Sequence, residues 1–257
     1  MFMIQYYVIG LKYDLKAVTA VRLDKYLSAC GFGTRSEVKR LIRSGAVRVG
    51  GCDKISAETK LNEESAEVYV DGVRAVYRRF VYLMLNKPSG YLSAVWDREK
   101  PVVTDLVPPE YAHFDVFPAG RLDIDTVGLM ILTNDGGLAH RILSPKNHVP
   151  KTYIARVDGT VDDAEVNAFR FGMDLGDFTT KPAELDVISV SDGVSECRVT
   201  ISEGKFHQIK RMFEKVGRRV IYLRRIAMNG LVLDESLREG ELRELTDREL
   251  ELLSNGK

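Results

Sequence analysis

The feature that most constrains the fold is a series of five apolar segments of strand length in the C-terminal part of the chain. Short apolar runs bounded by glycine or polar residues are typical of buried strands. The segments are Val81–Leu85, Leu129–Leu132, Tyr153–Val157, Cys197–Ile201 and Val220–Leu223. Helical patterns separate some of them, at Gly137–Leu143, Asp162–Phe171 and Phe206–Val216. Because strands outnumber helices and do not alternate with them regularly, residues 80–252 are predicted to form an α+β domain with a mostly antiparallel mixed sheet flanked by helices.

The chain ahead of this domain has a different pattern. Thr34 and Glu37 have the spacing of a capping box, in which a hydroxyl and a carboxylate each accept a hydrogen bond from a backbone amide at the start of a helix. The helix that begins there is amphipathic, and two short strand patterns follow it. We therefore predict a small α/β module over residues 21–76 and a linker at residues 74–79. Residues 1–20 are predicted to be an extension without a function.

Basic residues are concentrated in two stretches although the chain as a whole is neutral, with 37 Lys and Arg against 37 Asp and Glu. Residues 22–50 hold seven basic and two acidic residues, and residues 204–225 hold eight basic residues and one acidic residue. Local basic patches in a neutral chain favour a polyanion that is bound at defined places. A solvated helix face is the alternative for the first stretch. The candidate phosphate contacts of this module are Arg22, Lys25, Arg35, Lys39 and Arg43.

The cysteines and histidines give no sign of a disulfide framework or a metal site. The three cysteines are odd in number and widely spaced, and none of the four histidines has metal-ligand spacing with a cysteine. Reduced thiols are expected, and with them a cytoplasmic protein without a zinc site. The apolar residues 1–10 are too short to span a bilayer and lack the basic leading region of a secretory signal. A membrane location is therefore not expected.

The densest group of chemistry-bearing residues is Gly-Arg-Leu-Asp-Ile-Asp-Thr-Val-Gly-Leu at residues 120–129. Two carboxylates, Asp123 and Asp125, precede an apolar strand pattern, and a loop that enters a buried strand can hold a carboxylate at the floor of a cleft. The alternative is that both aspartates cap turns and pair with Arg121, as loop aspartates commonly do. The sequence contains no nucleotide-binding loop, metalloprotease motif or nucleophile elbow. Any enzyme chemistry is therefore expected to use side chains alone.

Five blocks in a fixed order resemble the pseudouridine synthases. The central block, residues 120–129, resembles the central motif of the family, and its surroundings resemble the branch named for the enzyme of the small ribosomal subunit. The front module resembles the RNA-binding domain of small-subunit ribosomal protein four, which this branch carries at its N-terminus. The other blocks are Leu83–Gly90, Lys151–Tyr153 and Ser202–Phe213. The resemblance spans residues 21–252, and five blocks in order are far more specific than any single one.

The resemblance assigns roles to five residues. Asp123 matches the catalytic aspartate of the family, Tyr153 its active-site tyrosine and Lys210 its basic partner. Arg121 occupies the position of an arginine near the flipped nucleotide, and Ile209 occupies the apolar position beside the base. Many members of the family have an arginine where this chain has Lys210, and the branch that the chain resembles accepts lysine. No catalytic role is carried over to the second aspartate of the loop.

The activity implied by the resemblance is the site-specific isomerisation of uridine to pseudouridine in ribosomal RNA, without a metal or a cofactor. The implied target is position 516 of the 16S ribosomal RNA. A uridine of the large-subunit ribosomal RNA is the alternative within the same branch. The implied partner is ribosomal RNA or a partly assembled small ribosomal subunit, bound by a monomer.

Two interpretations from other classes stay open. A non-catalytic RNA-binding or ribosome-assembly protein could keep this fold, although the intact set of Asp123, Tyr153 and Lys210 argues against it. A glycosidase-like hydrolase could use Asp123 and Asp125 as an acid and a nucleophile. With one residue between them, these carboxylates are poorly placed to flank a glycosidic bond. The product distinguishes the chemistries, because isomerisation conserves mass and releases no uracil.

Overall fold

A computed structural model describes residues 20–63 and 65–255 of the chain. Its internal contacts divide the chain into two compact units, one that ends at Arg79 and one that begins at Phe80. The predicted extension at residues 1–20 lies outside the described residues except for Ala20, the first residue of a strand.

The described residues of the first unit form two helices and five short strands. Its strands form an antiparallel pair, β1–β3, and a three-stranded antiparallel sheet in the order β2-β4-β5. The elements are β1 (Ala20–Arg22), α1 (Leu23–Ala29), α2 (Arg35–Arg43), β2 (Val47–Val49), β3 (Lys60–Asn62), β4 (Val68–Val70) and β5 (Val73–Ala75). The predicted small α/β module is confirmed in its helices and in the strands β2 and β4.

Helix α2 shows why this segment folds as it does. The Thr34 hydroxyl accepts a hydrogen bond from the Glu37 amide at 3.4 Å, and the Glu37 carboxylate accepts one from the Thr34 amide at 2.8 Å. This reciprocal capping satisfies two amides that have no partner within the helix, and it confirms the predicted capping box. Val38 and Ile42 lie one helical turn apart and are buried in the core of the unit.

The second unit is built on one nine-stranded mixed sheet. Seven strands follow the order β10-β11-β9-β12-β8-β6-β14, while β13 pairs with β12 and β7 pairs with β8. The pair β12–β8 is parallel and all other pairs are antiparallel, as predicted for a mostly antiparallel mixed sheet. The strands are β6 (Tyr82–Lys87), β7 (Phe117–Pro118), β8 (Val127–Thr133), β9 (Lys151–Asp158), β10 (Glu184–Ser191), β11 (Val194–Ile201), β12 (Val220–Met228), β13 (Leu231–Val232) and β14 (Leu242–Glu244).

Helices pack against both faces of the sheet. One apolar core contains side chains of β9, β11, α4 and α5, and a second contains side chains of β8, α3 and α6. Every residue of β8 is buried because both faces of that strand are covered. The helices are α3 (Gly136–Leu143), α4 (Asp163–Phe171), α5 (Gln208–Lys215) and α6 (Asp247–Asn255), with 3₁₀ turns at Val103–Leu106, Pro109–Phe114 and Pro145–Asn147. The loop from β7 to β8 and the start of α5 both belong to the second unit.

Candidate active site

The loop between β7 and β8, residues 119–126, is fixed by hydrogen bonds from the segment that follows β6. The Ser93 hydroxyl donates to the Leu122 carbonyl at 2.7 Å and accepts from the Leu122 amide at 2.9 Å. The Gly90 amide donates to the Ile124 carbonyl at 2.8 Å, and within the loop the Thr126 amide donates to the Asp123 carbonyl at 3.1 Å. The backbone on both sides of Asp123 is thus held in place before any substrate binds.

A fully buried lysine binds backbone carbonyls of the same loop. The Lys87 ammonium donates hydrogen bonds to the carbonyls of Pro88, Ile124 and Thr126 at 3.0, 3.3 and 2.9 Å. Burial lowers the pKa of Lys87 to about 8, although the charges of the nearby aspartates oppose that shift. No role was predicted for Lys87 from the sequence. The available signal was a lysine at the end of the apolar segment Leu-Met-Leu-Asn-Lys, where a solvated charge is not expected.

Asp123 faces two basic side chains of the segment at the start of α5. The Lys210 ammonium lies 3.2 Å from one carboxylate oxygen of Asp123, and the His207 Nε2 lies 3.5 Å from the other. The Asp123 side chain is only 26% exposed. The predicted neighbourhood of Asp123 and Lys210 is therefore present in the structure. His207 was left without a specific role, although its position three residues before Lys210 near the start of a helix places both on one side.

Asp125 shares the lysine with Asp123. The Lys210 ammonium donates to the Asp125 carboxylate at 2.6 Å. The expected pairing of Asp125 with Arg121 is wrong, because Arg121 is exposed and makes no hydrogen bond or ion pair with another described residue. Burial favours a lower pKa for Lys210, but its hydrogen bonds and charge interactions with both aspartates outweigh burial and raise that pKa. In the same way burial opposes the shift of Asp125, and the hydrogen bond from Lys210 lowers the pKa of that carboxyl.

The other residues singled out in the catalytic domain meet Asp123 around one pocket. Tyr153 on β9 and Ile209 on α5 are both buried and line it. Arg121 lines it from the exposed side of the loop. The remaining lining residues are Leu122, Thr126, Ile201, Gly204, Lys205, His207, Gln208, Lys210 and Leu223. The arrangement places a carboxylate between an ammonium and an imidazole, with an aromatic ring and an aliphatic side chain beside it.

The basic residues of the first unit differ in how free their charges are. Arg22 is bound to the Asp24 carboxylate through two nitrogens and lies 3.4 Å from Glu58. No ion pair to another described residue engages the remaining candidates, which lie on α1 and α2 and are exposed or half-buried: Lys25, Arg35, Lys39 and Arg43. The positive charges of Arg35, Lys39 and Arg43 on α2 are therefore not neutralised by an ion pair with a described residue.

The described part of the chain shows neither a metal site nor a membrane-spanning helix. No group of three or more His, Cys, Asp or Glu side chains there could hold a metal ion. No helix there is long and apolar enough to cross a membrane. The cysteines at positions 30, 52 and 197 are free thiols, and burial raises the pKa of Cys197 to about 11.

A family model described as RNA pseudouridylate synthase matches residues 81–215, which include the loop of Asp123 and all of α5. The chain belongs to this family of RNA-modifying isomerases. A model of the S4 domain matches residues 21–51, within the first unit.

Relatives of similar length support this membership. An uncharacterised RNA pseudouridine synthase of Bacillus subtilis is 44% identical over 235 residues, covering 91% of this chain and 98% of the relative. Ribosomal small subunit pseudouridine synthase A of Salmonella typhimurium is 40% identical, and that of Escherichia coli is 39% identical, each covering 90% of this chain and 98% of the relative. A crystal structure of a pseudouridylate synthase superposes with a TM-score of 0.63 at 37% identity, covering 91% of this chain and 99% of that one.

Proposed function

We propose that this pseudouridine synthase converts one uridine of the small-subunit ribosomal RNA to pseudouridine, at position 516 of the 16S molecule. The observation that carries the proposal is the placement of the Asp123 carboxylate 3.2 Å from Lys210 and 3.5 Å from His207, in a pocket that Tyr153 and Ile209 also line. The small-subunit target rests on the relatives of about 40% identity that carry that name.

The reaction explains why these residue types are needed. The glycosidic bond between ribose and N1 of uracil breaks, the uracil turns, and a new bond joins the ribose to C5. The proton on C5 is then lost and N1 gains one, so the mass is conserved. Asp123 acts as a nucleophile or base, which requires the carboxylate to be ionised. The Lys210 ammonium favours that charged form, since a cation near a carboxylate stabilises it.

The pocket also has to receive a nucleotide that is buried in RNA. A base in a stacked strand cannot reach the carboxylate, so the uridine must be flipped out at a cost of a few kcal/mol. Tyr153 offers a flat face for the uracil ring and Ile209 offers an apolar contact beside it. Arg121 is exposed at the pocket and free to contact the flipped nucleotide. The S4 module adds phosphate contacts through α2, which position the RNA without reading its sequence.

Mapping of pseudouridines in the ribosomal RNA of a strain that lacks this gene tests the proposed target. The expected result is loss of one pseudouridine, at the proposed position of the 16S molecule, with restoration by the wild-type gene on a plasmid. Loss of a site in the large-subunit RNA would refute the small-subunit assignment and support the alternative within the branch. An unchanged map in both molecules would refute the activity on ribosomal RNA.

The variant Asp123→Asn tests the chemistry. It removes the charge with little change of volume, so product formation should stop while folding and RNA affinity stay within about threefold of wild type. Asp125→Asn is the matched control, because Asp125 binds the same lysine but is more exposed, and it should lose less than about tenfold in turnover. Turnover of Asp123→Asn above a few per cent of wild type would remove Asp123 from the mechanism. Equal loss in both variants would instead favour a mechanism that uses both carboxylates.

A further inference from the structure

Phe206 presents a bare aromatic face at the edge of the active-site pocket. Its side chain is 68% exposed, and its ring stacks on the His207 ring with centroids 3.8 Å apart and an angle of 18° between the ring planes. Exposed single apolar side chains are common on protein surfaces and need no explanation by themselves. In the described chain, however, the three exposed Phe or Trp side chains are Trp96, Phe171 and Phe206, and of these Phe206 stacks on a residue that lines the pocket.

The loop that carries Phe206 is held rigidly. The buried Gln208 side chain accepts from the Lys205 amide at 3.0 Å and donates to the Glu203 carboxylate at 2.9 Å. Glu203 also accepts from the Lys181 amide at 2.9 Å. These buried hydrogen bonds fix both ends of the short segment between Glu203 and Gln208. A ring on such a segment loses little conformational freedom when a ligand binds to it.

His207 stands in a strained backbone conformation that serves this arrangement. Its φ is +50°, in the left-handed region that residues with a Cβ seldom adopt. Such residues cluster at functional sites, where the surrounding structure holds them. Here the conformation directs the imidazole towards Asp123, 3.5 Å from its carboxylate, while the other side of the stack is the exposed Phe206 ring. The stack therefore runs from the reacting carboxylate to the protein surface.

We propose that the Phe206 ring stacks on an unpaired base of the substrate RNA, that of the nucleotide next to the flipped uridine. Flipping removes a stacking partner from the neighbouring base, and an aromatic ring at the pocket edge replaces it. The flipped uridine contacts Tyr153 inside the pocket, so the Phe206 ring at the pocket edge is left for the base of the neighbouring nucleotide. Recognition of unstacked RNA bases by aromatic side chains is the general mode for single strands and loops. This inference rests on the proposed activity and deepens it by naming a contact to the RNA strand.

The test uses the full-length protein and a ribosomal RNA fragment that spans the modified uridine, with 2-aminopurine on either side of it. The variants are Phe206→Ala, Phe206→Leu, which keeps an apolar side chain without a π-face, and Phe206→Trp, which keeps the π-face. Phe171→Ala is the matched control, because Phe171 is 79% exposed at the end of α4 and does not line the pocket. The readouts are the RNA Kd, the single-turnover rate at saturating RNA, and the quenching of 2-aminopurine fluorescence.

The expected result is a Kd raised roughly 5- to 100-fold in Phe206→Ala and Phe206→Leu, as for loss of one base-stacking contact. Phe206→Trp and Phe171→Ala should bind within about twofold of wild type, and quenching at one flanking position should vanish with the π-face. The single-turnover rate at saturation should stay within about threefold, because the chemistry is untouched. An unchanged Kd in Phe206→Ala would overturn the inference, as would a slowed single-turnover rate with normal Kd, which would mean that Phe206 only positions His207.

The proposed activity fails separately from this inference. If the wild-type protein forms no pseudouridine in ribosomal RNA, the proposed activity is wrong. The inferred stacking of an RNA base on Phe206 is then wrong as well. If the wild-type protein forms the product and Phe206→Ala has an unchanged Kd and normal quenching, only the inferred stacking of an RNA base on Phe206 is wrong. Unfolding of each variant in urea identifies a loss of RNA affinity that comes from misfolding, and a variant with the wild-type midpoint is compared directly.

Discussion

Strands β8 and β12 approach each other closely at Gly128. A small change of this residue should therefore disturb the whole site. These strands pair in parallel, with Gly128 opposite Arg225. Gly128 lies two residues after Thr126, the last residue of the loop between β7 and β8. The φ of Gly128 is +100°, and a Cβ at this position would lie 2.3 Å from the Arg225 carbonyl oxygen and 2.9 Å from Arg224 Cγ. The nearest atom is backbone at the centre of the sheet, so it cannot turn aside as a side chain would.

The variant Gly128→Ala should therefore destabilise the fold and displace the loop. The unfavourable φ costs about 1–2 kcal/mol and the forced separation of packed strands about 1–3 kcal/mol, for a total of about 2–5 kcal/mol. Domains have about 5–15 kcal/mol of stability, so the variant should still fold at 25 °C. A shift of about 1 Å in the reacting groups costs about 100-fold in rate, which sets the expected loss in the single-turnover rate.

Urea unfolding and single-turnover pseudouridine formation at saturating RNA measure the two effects. Gly136→Ala is the matched control, because Gly136 begins α3 with a negative φ and a Cβ there meets no atom within 4 Å. That control should keep the wild-type rate and a free energy of unfolding within about 0.5 kcal/mol of wild type, as is usual for an exposed position without a special contact. A Gly128→Ala protein with the wild-type unfolding midpoint and rate would refute the account of how the loop is positioned.

Three other perturbations test the charges. Lys210→Met should lower turnover more than Lys210→Arg and move the acidic limb of the pH–rate profile to higher pH, because only arginine keeps a cation beside both carboxylates; an unchanged limb would contradict this pairing. Burial lowers the pKa of Lys87 from 10.5 to about 8. Between these pH values the unfolded chain binds more protons, so this lysine should make the free energy of unfolding rise with pH by about 3 kcal/mol. Urea unfolding of Lys87→Met at pH 7.5 and 10.5 should lack that increment, and an equal rise in both proteins would refute the assignment. Replacing Arg35, Lys39 and Arg43 by alanine should reduce the slope of log Kd against log salt by about 2, at about 0.7 per phosphate contact on single-stranded RNA. Equal slopes would show that this face is an ordinary solvated surface.

The parts of the fold that the sequence predicted are those with a strong local pattern. Strand β8 is covered on both faces and reads as a continuous apolar run, and the capping box marks the start of α2 without reference to the rest of the chain. Strand β10 was missed because it is an edge strand that pairs only with β11, with nearly all its residues exposed and a bulge near Val187. Exposure on both faces removes the alternation that marks a strand. The three-residue strands β1, β3 and β5 each contain a single buried residue, whereas the equally short β2 and β4 each have a buried valine at both ends, which gives the alternation that marks a strand.

The site was predictable only where the family resemblance reached it. Asp123 and Lys210 are 87 positions apart, and no local pattern links residues at that separation. The resemblance placed them together, and the structure shows the contact at 3.2 Å. Lys87 and His207 lie inside the same blocks, but no role was predicted for them. The contacts of Lys87 to the loop depend on tertiary packing. The left-handed backbone conformation of His207 cannot be read from the residue type. The pairing of Asp125 was wrong for the same reason, since proximity in sequence favoured Arg121 and the fold brought Lys210 closer.

The contrast between the interior and the edge of the pocket suggests how the two tasks of the enzyme are divided. Inside, Asp123 is held by a backbone loop that Lys87 and Ser93 fix, and its charge is met by Lys210. Groups oriented before the reaction stabilise developing charge without reorganisation, which is the condition for fast chemistry. At the edge, the side chains of Arg121 and Phe206 are exposed, so they remain available to a ligand. Substitutions inside should therefore act on the single-turnover rate and substitutions at the edge on RNA affinity, which makes the two sets of residues separable by kinetics.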